Sequence, residues 1–402
     1  MMTAKQIVKI REQLHVYVEE FGAEFGRSER RHWCGKYLQG LLQEGERKSI
    51  EPMAARVGGD DQALQQFVNQ SPWDHEAVLL RLRQLMRSRM SADSVLVLDD
   101  TSLPKQGRHS VGVARQYCGA LGKIANCQSI VTWHWASPGL HWPLAAQLYL
   151  PAQWTDDPKR MTKAGVPPEA QRFQEKWRLA LALLDEMKPQ LPAYQAIVCD
   201  AGYGVVLPLL AELEKRAERY VAQVPGNVVA WPAEAVATLK RASTGRPREH
   251  AIVQDRAMKP LAMAAWRDRL LQEPERWTKV PLPRADGATV RAIAVRVQAS
   301  QRGSRWRQPG VTRWLLIEQL GDDTFKYHLS NLPENTPLAD LVRLAHQRWA
   351  IEQGYQQLKE ELGLDHFEGR SWRGLHHHLT LCFLAFCFLT RLRTSKKTPV
   401  AA

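Results

Sequence analysis

The chain has 402 residues, 44% of them hydrophobic, which is more than one typical domain needs and enough for a substantial core. Its 55 Lys and Arg against 42 Asp and Glu leave a net charge of +13, suited to a polyanionic partner such as nucleic acid or to a basic enzyme with a solvated surface. The six cysteines (Cys34, Cys118, Cys127, Cys199, Cys382, Cys387) are scattered without a CxxC pair, which argues against a disulfide framework and for a reducing, cytoplasmic compartment.

At the N-terminus, "MMTAKQIVKIREQLHVYVEE" is broken by charges and lacks the apolar core of a signal peptide. From Ile7 to about Met90, apolar residues recur three and four apart, which predicts helices. Within this region "SIEPMAARVGGDDQALQQFVNQSPWD" reads as a short helix, a turn whose acids can cap, and a second helix ending near Pro72. Spacing alone fits both a DNA-binding helix-turn-helix and an ordinary helical hairpin.

After Ser91 the runs shorten to strand length: Val95 to Leu98, Ser129 to Trp135, Leu144 to Leu150 and Ala196 to Cys199. Helical patterns at Phe173 to Met187 and Val205 to Arg219 flank the last of these, predicting a mixed α/β sheet. From Pro225 to about Pro333, basic and polar segments ("RASTGRPREH", "QRGSRWRQPG") separate the strand-like runs "VRAIAVRVQ", "RWLLIEQL" and "FKYHLSNL", the pattern of a β-rich insertion. A long amphipathic helix is predicted over Leu338 to Leu362. The apolar run Leu379 to Leu389 is about half the ~20 residues a membrane span requires, so it reads as a buried C-terminal helix.

Three places carry chemistry. "VLVLDD" reads as a strand covered on both faces that ends on Asp99-Asp100, and "AIVCD" repeats the arrangement at Asp200. Paired carboxylates at a strand edge want a cation between them, and hard oxygen donors suit Mg²⁺ or Mn²⁺; the simpler reading is that each Asp caps a turn. On the long helix, Arg348, Glu352, Tyr355 and Lys359 stand at i, i+4, i+7 and i+11, on one face. That pattern also describes a solvated face with ion pairs. Lys105, Arg108, His109, Arg115 and Lys123 form a basic strip after the first strand, readable as a phosphate-binding surface or a solvated hairpin. His376-His377-His378 cannot easily ring one ion, because consecutive helical side chains diverge by about 100°.

Taken together these blocks resemble the DDE transposases of the IS4-like superfamily, most closely the IS701 group. The likeness runs through "VLDDTSLPKQGRHSVGVARQYCGALGK", "LYLPAQW", "CDAGYG" and "RWAIEQGYQQLKEELGLDHFEGRSWRGLHHH". The resemblance implies an α/β, RNase H-like mixed sheet flanked by helices, interrupted by a β-rich insertion and preceded by a helical DNA-binding domain. The corresponding boundaries are 1–90, 91–224, 225–335 and 336–402. It implies metal-dependent cleavage of DNA at terminal inverted repeats and strand transfer into target DNA, with two Mg²⁺ or Mn²⁺ ions held by Asp100, Asp200 and Glu352. Asp99 competes as first ligand; Asp100 is preferred because it stands directly before Thr101-Ser102.

By the same resemblance Arg348, Tyr355 and Lys359 contact DNA with the basic strip, and the protein works on double-stranded DNA as a homodimer in the synaptic complex, in the cytoplasm and on the nucleoid. The family helix signature has Tyr where this chain has Ala345, so that contact is not carried over. Tyr327, Phe325 and Trp314 are candidates for stacking on a flipped base, with a core role as the alternative. Asp-based phosphatases want Asp-x-Asp-x-Thr, which "DDTSL" does not supply. A silent, domesticated DNA-binding protein remains as a second reading.

Overall fold

The N-terminal helices start where side chains can cap them. In the computed structural model, Thr3 and Gln6 form a reciprocal capping box at the helix Ala4–Glu19, Asp60 accepts from the amides of Gln62 and Ala63 at Asp61–Asn69, and Asp74 caps His75–Met86. Gly58, at φ 60°, closes the helix Ile50–Val57 in the left-handed region that glycine tolerates. The Gly-Gly-Asp-Asp stretch is thus the turn that the sequence predicts. The structure describes residues 3–238, 252–255, 257–282, 287–300 and 308–395; "RASTGRPREH", most of "QRGSRWRQPG" and the end of the polar tail lie outside them.

The chain divides into two units, 1–92 with 98–193 and 350–402, and 93–97 with 194–349. The first unit holds the N-terminal helices and four strands: β1 (Val95–Pro104, from Leu98 onward), β2 (Ala114–Cys118), β3 (Lys123–Ser137) and β4 (Leu140–Leu148). β1, β3 and β2 lie side by side, while β4 pairs antiparallel with the second half of β3. One face of β3 and β4 meets the helix Lys176–Met187, where Trp133 Nε1 donates to the Ala180 carbonyl. The helix Trp372–Ser395 is apolar nearly all round and packs against β4 and three N-terminal helices. By length and composition it is able to cross a membrane, yet 83% of its apolar window is buried in this unit.

The second unit is a mixed sheet. β5 (Ala196–Cys199) and β6 (Tyr220–Val224) pair in parallel, with the helices Ala201–Gly204 and Leu207–Lys215 in the crossover. Then follow β7 (Val229–Pro232), β8 (Ala237–Thr238), β9 (Ile252–Val253), β10 (Leu261–Ala262), β11 (Thr278–Pro281), β12 (Thr289–Ala299), β13 (Thr312–Gln319) and β14 (Phe325–Ser330). The order is β10-β7-β12-β13-β14-β6-β5, with β11 on β12 and β8-β9 as a separate ribbon.

Two sequence expectations need correction. β1 does not end on Asp99-Asp100: it continues through Thr101, Ser102 and Leu103, all buried, and its ladder runs on to the bond from Lys105 N to Asn126 O. The adjacent carboxylates are interior strand positions. The helix expected over Leu338 to Leu362 is also interrupted. It runs Leu338–Gln347, resumes as Trp349–Gln356 after Arg348, and finishes in a π turn, Gln357–Glu361, whose wider spacing carries Lys359.

Candidate active site

Strand alternation separates the two adjacent acids. Successive side chains of a strand point to opposite faces, so Asp99 and Asp100 leave β1 on different sides. Asp100 Oδ2 accepts from Ser129 Oγ at 2.8 Å and pairs with Lys176 Nζ at 2.6 Å. Ser129 shares its side of β3 with Trp133, and Lys176 opens the helix Lys176–Met187 that covers that side. Asp100 therefore belongs to the face occupied by that helix.

Asp99 belongs to the other face. On β3 the side chain facing that way is Thr132, whose hydroxyl reaches the Asp99 carbonyl at 3.5 Å and the Tyr355 hydroxyl at 2.5 Å. His134, two positions on, meets the Tyr355 ring edge-on at 5.4 Å. Lys359 follows on the π turn; burial lowers its ammonium from the ordinary lysine value, while the charges of Asp365, Cys118 and Asp99 pull it back up. Glu352 is exposed, three residues before Tyr355 on the same helix.

The remaining predicted residues distribute unevenly. Asp200 and Arg348 belong to the second unit. Asp200 caps the helix Ala201–Gly204, with Oδ1 accepting from Tyr203 N at 3.1 Å. Gly204 has to be glycine, because a Cβ there would stand 1.9 Å from the Gln223 carbonyl oxygen of β6. Lys105 is largely enclosed: its ammonium donates to the carbonyls of Asp365 (3.3 Å) and Phe367 (2.6 Å), and burial pushes its pKa down to about 8. It holds the loop after the π turn, whereas Arg108, His109, Arg115 and Lys123 are exposed.

The aromatic candidates in the insertion are packed. Tyr327 is buried and accepts from Arg267, Phe325 lies against Trp277 and Arg267, and Trp314 donates to the Pro333 carbonyl beneath Arg296. His376, His377 and His378 each turn to a different partner: the Trp372 carbonyl, the Val68 and Trp73 carbonyls, and the Tyr37 hydroxyl with the Gly363 and Leu364 carbonyls. The sequence reading did not single out Ser129, Thr132 or Lys176. The first two were findable as alternate positions of a recognised strand; nothing local marks Lys176.

A sequence model of the family described as DDE superfamily endonuclease matches residues 20–302. Over 172 residues the chain is 29% identical to the probable transposase for insertion sequence element IS701 of Microchaete diplosiphon, a match covering 42% of this chain and 42% of that protein. The chain thus spans under half the length of that curated relative. Among solved structures, the cryo-EM structure of a piggyBac transposase synaptic complex with hairpin DNA is similar at 11% identity and a TM-score of 0.42, over 94% of this chain and 68% of that one.

Proposed function

The chain belongs to the DDE superfamily endonucleases, and from that membership we propose that it is an insertion-sequence transposase, cutting DNA at terminal inverted repeats and joining the freed 3′ end to target DNA. The observation that carries the reading is the common face of Asp99, Tyr355 and Lys359, with Glu352 on the same helix as Tyr355. In this reading Asp99 replaces Asp100 as the first carboxylate, Glu352 is the last, and Asp200 supplies the third on an RNase H-like core. Asp100 is already engaged by Ser129 and Lys176 on the opposite side of β1.

The donor set fits a hard divalent ion. Among the described residues no group of three or more His, Cys, Asp and Glu forms a ready metal cluster. Mg²⁺ does not require one, since it commonly takes one or two carboxylates and completes its shell with water and substrate phosphates. When bound, such an ion activates the attacking oxygen and offsets charge on the leaving one. The chain's own groups position the strand: Lys359 presents a partly desolvated point charge to a phosphate oxygen, Arg348 offers a planar two-donor fork, and Tyr355 is fixed by Thr132. Double-stranded DNA is the substrate, and two copies pair the element's ends.

The test is nicking of a supercoiled plasmid carrying the DNA that flanks the gene, with Mg²⁺ present. Asp99→Asn, Asp200→Asn and Glu352→Gln are each expected to lower cutting by at least about 100-fold, the scale of losing a preorganised electrostatic group, with DNA binding retained. Asp100→Asn is expected to keep cutting within about tenfold of wild type. Silence of Asp100→Asn with full activity of Asp99→Asn would return the first ligand to Asp100. Wild-type binding without any cutting would favour the domesticated DNA-binding reading.

A further inference from the structure

We propose that the β2–β3 hairpin is a nucleic-acid stacking platform, on which Tyr117 and Ile124 receive an unpaired base beside the DNA end while Arg108, His109 and Arg115 hold the adjoining phosphates. The proposal rests on the DNA-cutting reading and identifies a surface that meets the strand.

The register sets the surface. Tyr117 stands opposite Ile124, and Arg115 opposite Asn126. Directly paired residues of an antiparallel ladder point to the same side, so these four form one face. On the other face Ala114, Cys118 and Cys127 are buried and fix the hairpin to the body of its unit, while Lys123, opposite Cys118, is exposed. On the open face Tyr117 is 67% exposed and Ile124 60%, with Leu121 at the tip 48% exposed. Tyr117 is the most exposed aromatic side chain among the described residues. Asn126 also donates to the carbonyls of Lys105 (2.9 Å) and Gly107 (2.7 Å), which ties the turn leading to Arg108 and His109 against the same hairpin.

Charge identifies the occupant. From Thr101 to Thr155 the chain contains no Asp or Glu, while Arg115 stands exposed on the face of Tyr117 and Ile124, and Arg108 and His109 are exposed in the turn that Asn126 ties to the hairpin. Cations beside an exposed ring are the chemistry of single-strand binding: cations track the backbone and the ring stacks on a base without reading its edge. Ile124 supplies apolar contact to the sugar or the neighbouring base. The aromatics of the insertion are engaged in packing, as described above, and Tyr117 has no such engagement on its outer side.

Binding is to be measured by fluorescence anisotropy on the full chain in EDTA, so that no cutting occurs. The probes are a blunt duplex, the same duplex with a single-stranded overhang carrying 2-aminopurine, and heparin as a sequence-free polyanion. Wild type is expected to favour the overhang and to quench 2-aminopurine. Tyr117→Ala is expected to weaken overhang binding by about 5- to 150-fold, the value of one stacked base, with the salt slope unchanged and the quench lost; Tyr117→Phe is expected to restore both. Arg108→Ala with Arg115→Ala is expected to flatten the log-log salt slope by roughly one to two. Overhang affinity of Tyr117→Ala within twofold of wild type, or equal loss on the blunt duplex, would overturn the platform and leave the endonuclease reading standing. Wild type that binds heparin and neither DNA would remove that reading instead.

Discussion

The two units surround their enclosed histidines differently. In the first, His134, His376, His377 and His378 are enclosed without a carboxylate partner among the described residues, and burial pushes each of their pKa values down to about 3, and that of His141 to about 4. His378 illustrates the neutral solution. Its Nε2 faces the Gly363 and Leu364 carbonyls and its Nδ1 the Tyr37 hydroxyl, so one tautomer donates on one side and accepts on the other. In the second unit Glu318, 1% exposed, sits between His328 Nε2 at 2.9 Å and His346 Nε2 at 2.8 Å. There a charge is buried and held by two hydrogen bonds, and the Glu318 pKa lies at about 2 despite burial that raises it. A desolvated group needs either neutrality or a partner, and these two sets of histidines take one solution each.

Acid is the strongest way to break this comparison. A buried histidine whose folded pKa lies near 3 binds its proton in the unfolded chain first, so it withdraws stability as pH falls from its ordinary 6.5 toward 3. With four groups near 3 and His141 near 4, the summed loss is on the order of several kcal/mol or more. Glu318 behaves differently: its contribution is complete above the ordinary 4.5 and disappears as pH falls from there through about 2. Hydrogen exchange at pH 4.5 is expected to show lost protection in peptides from Trp372–Ser395 and β3 while β12 to β14 keep theirs. A common midpoint for all of them would mean that the histidines do not set the acid response of the first unit.

The next effect is a single substitution. Glu318→Ala leaves two buried imidazoles facing a void and removes the only charge that organises them, at an expected cost of about 3–5 kcal/mol in urea unfolding. Glu318→Gln keeps an acceptor for one histidine and is expected to cost less. Equal costs would show that shape rather than charge organises the cluster.

How much of this was legible beforehand follows from range. Local signals read well: the cap at Asp60, the four-residue buried run of β5, and the strand-like runs of β12 and β13 announce themselves within a few residues. The site was half legible. Asp99-Asp100 stood out, but adjacent acids look like a turn, and only the continuation of β1 to Pro104 makes them alternating positions with separate faces. Lys176 reaches Asp100 from 76 residues away, and no spacing rule spans that distance. The break at Arg348 and the π turn were also invisible, because Leu344, Ile351 and Leu358 keep helical periodicity across them.

The smallest effect concerns a third arrangement of opposite charges, lying between the two extremes. The side chains of Lys176 and Asp100 are 34% and 25% exposed, so water screens their pair. Asp100→Asn retains an acceptor for Ser129 and loses the ion pair, and the expected cost is about 1 kcal/mol or less, as for other pairs open to solvent. Lys176→Met is expected to cost as little, since either change leaves a charge that water can still reach. If Asp100→Asn instead matched Glu318→Ala in urea, depth of burial would not be what separates a structural carboxylate from an available one. The same variant, small in stability and active in cutting, would then lose its value as the control that distinguishes the two faces of β1.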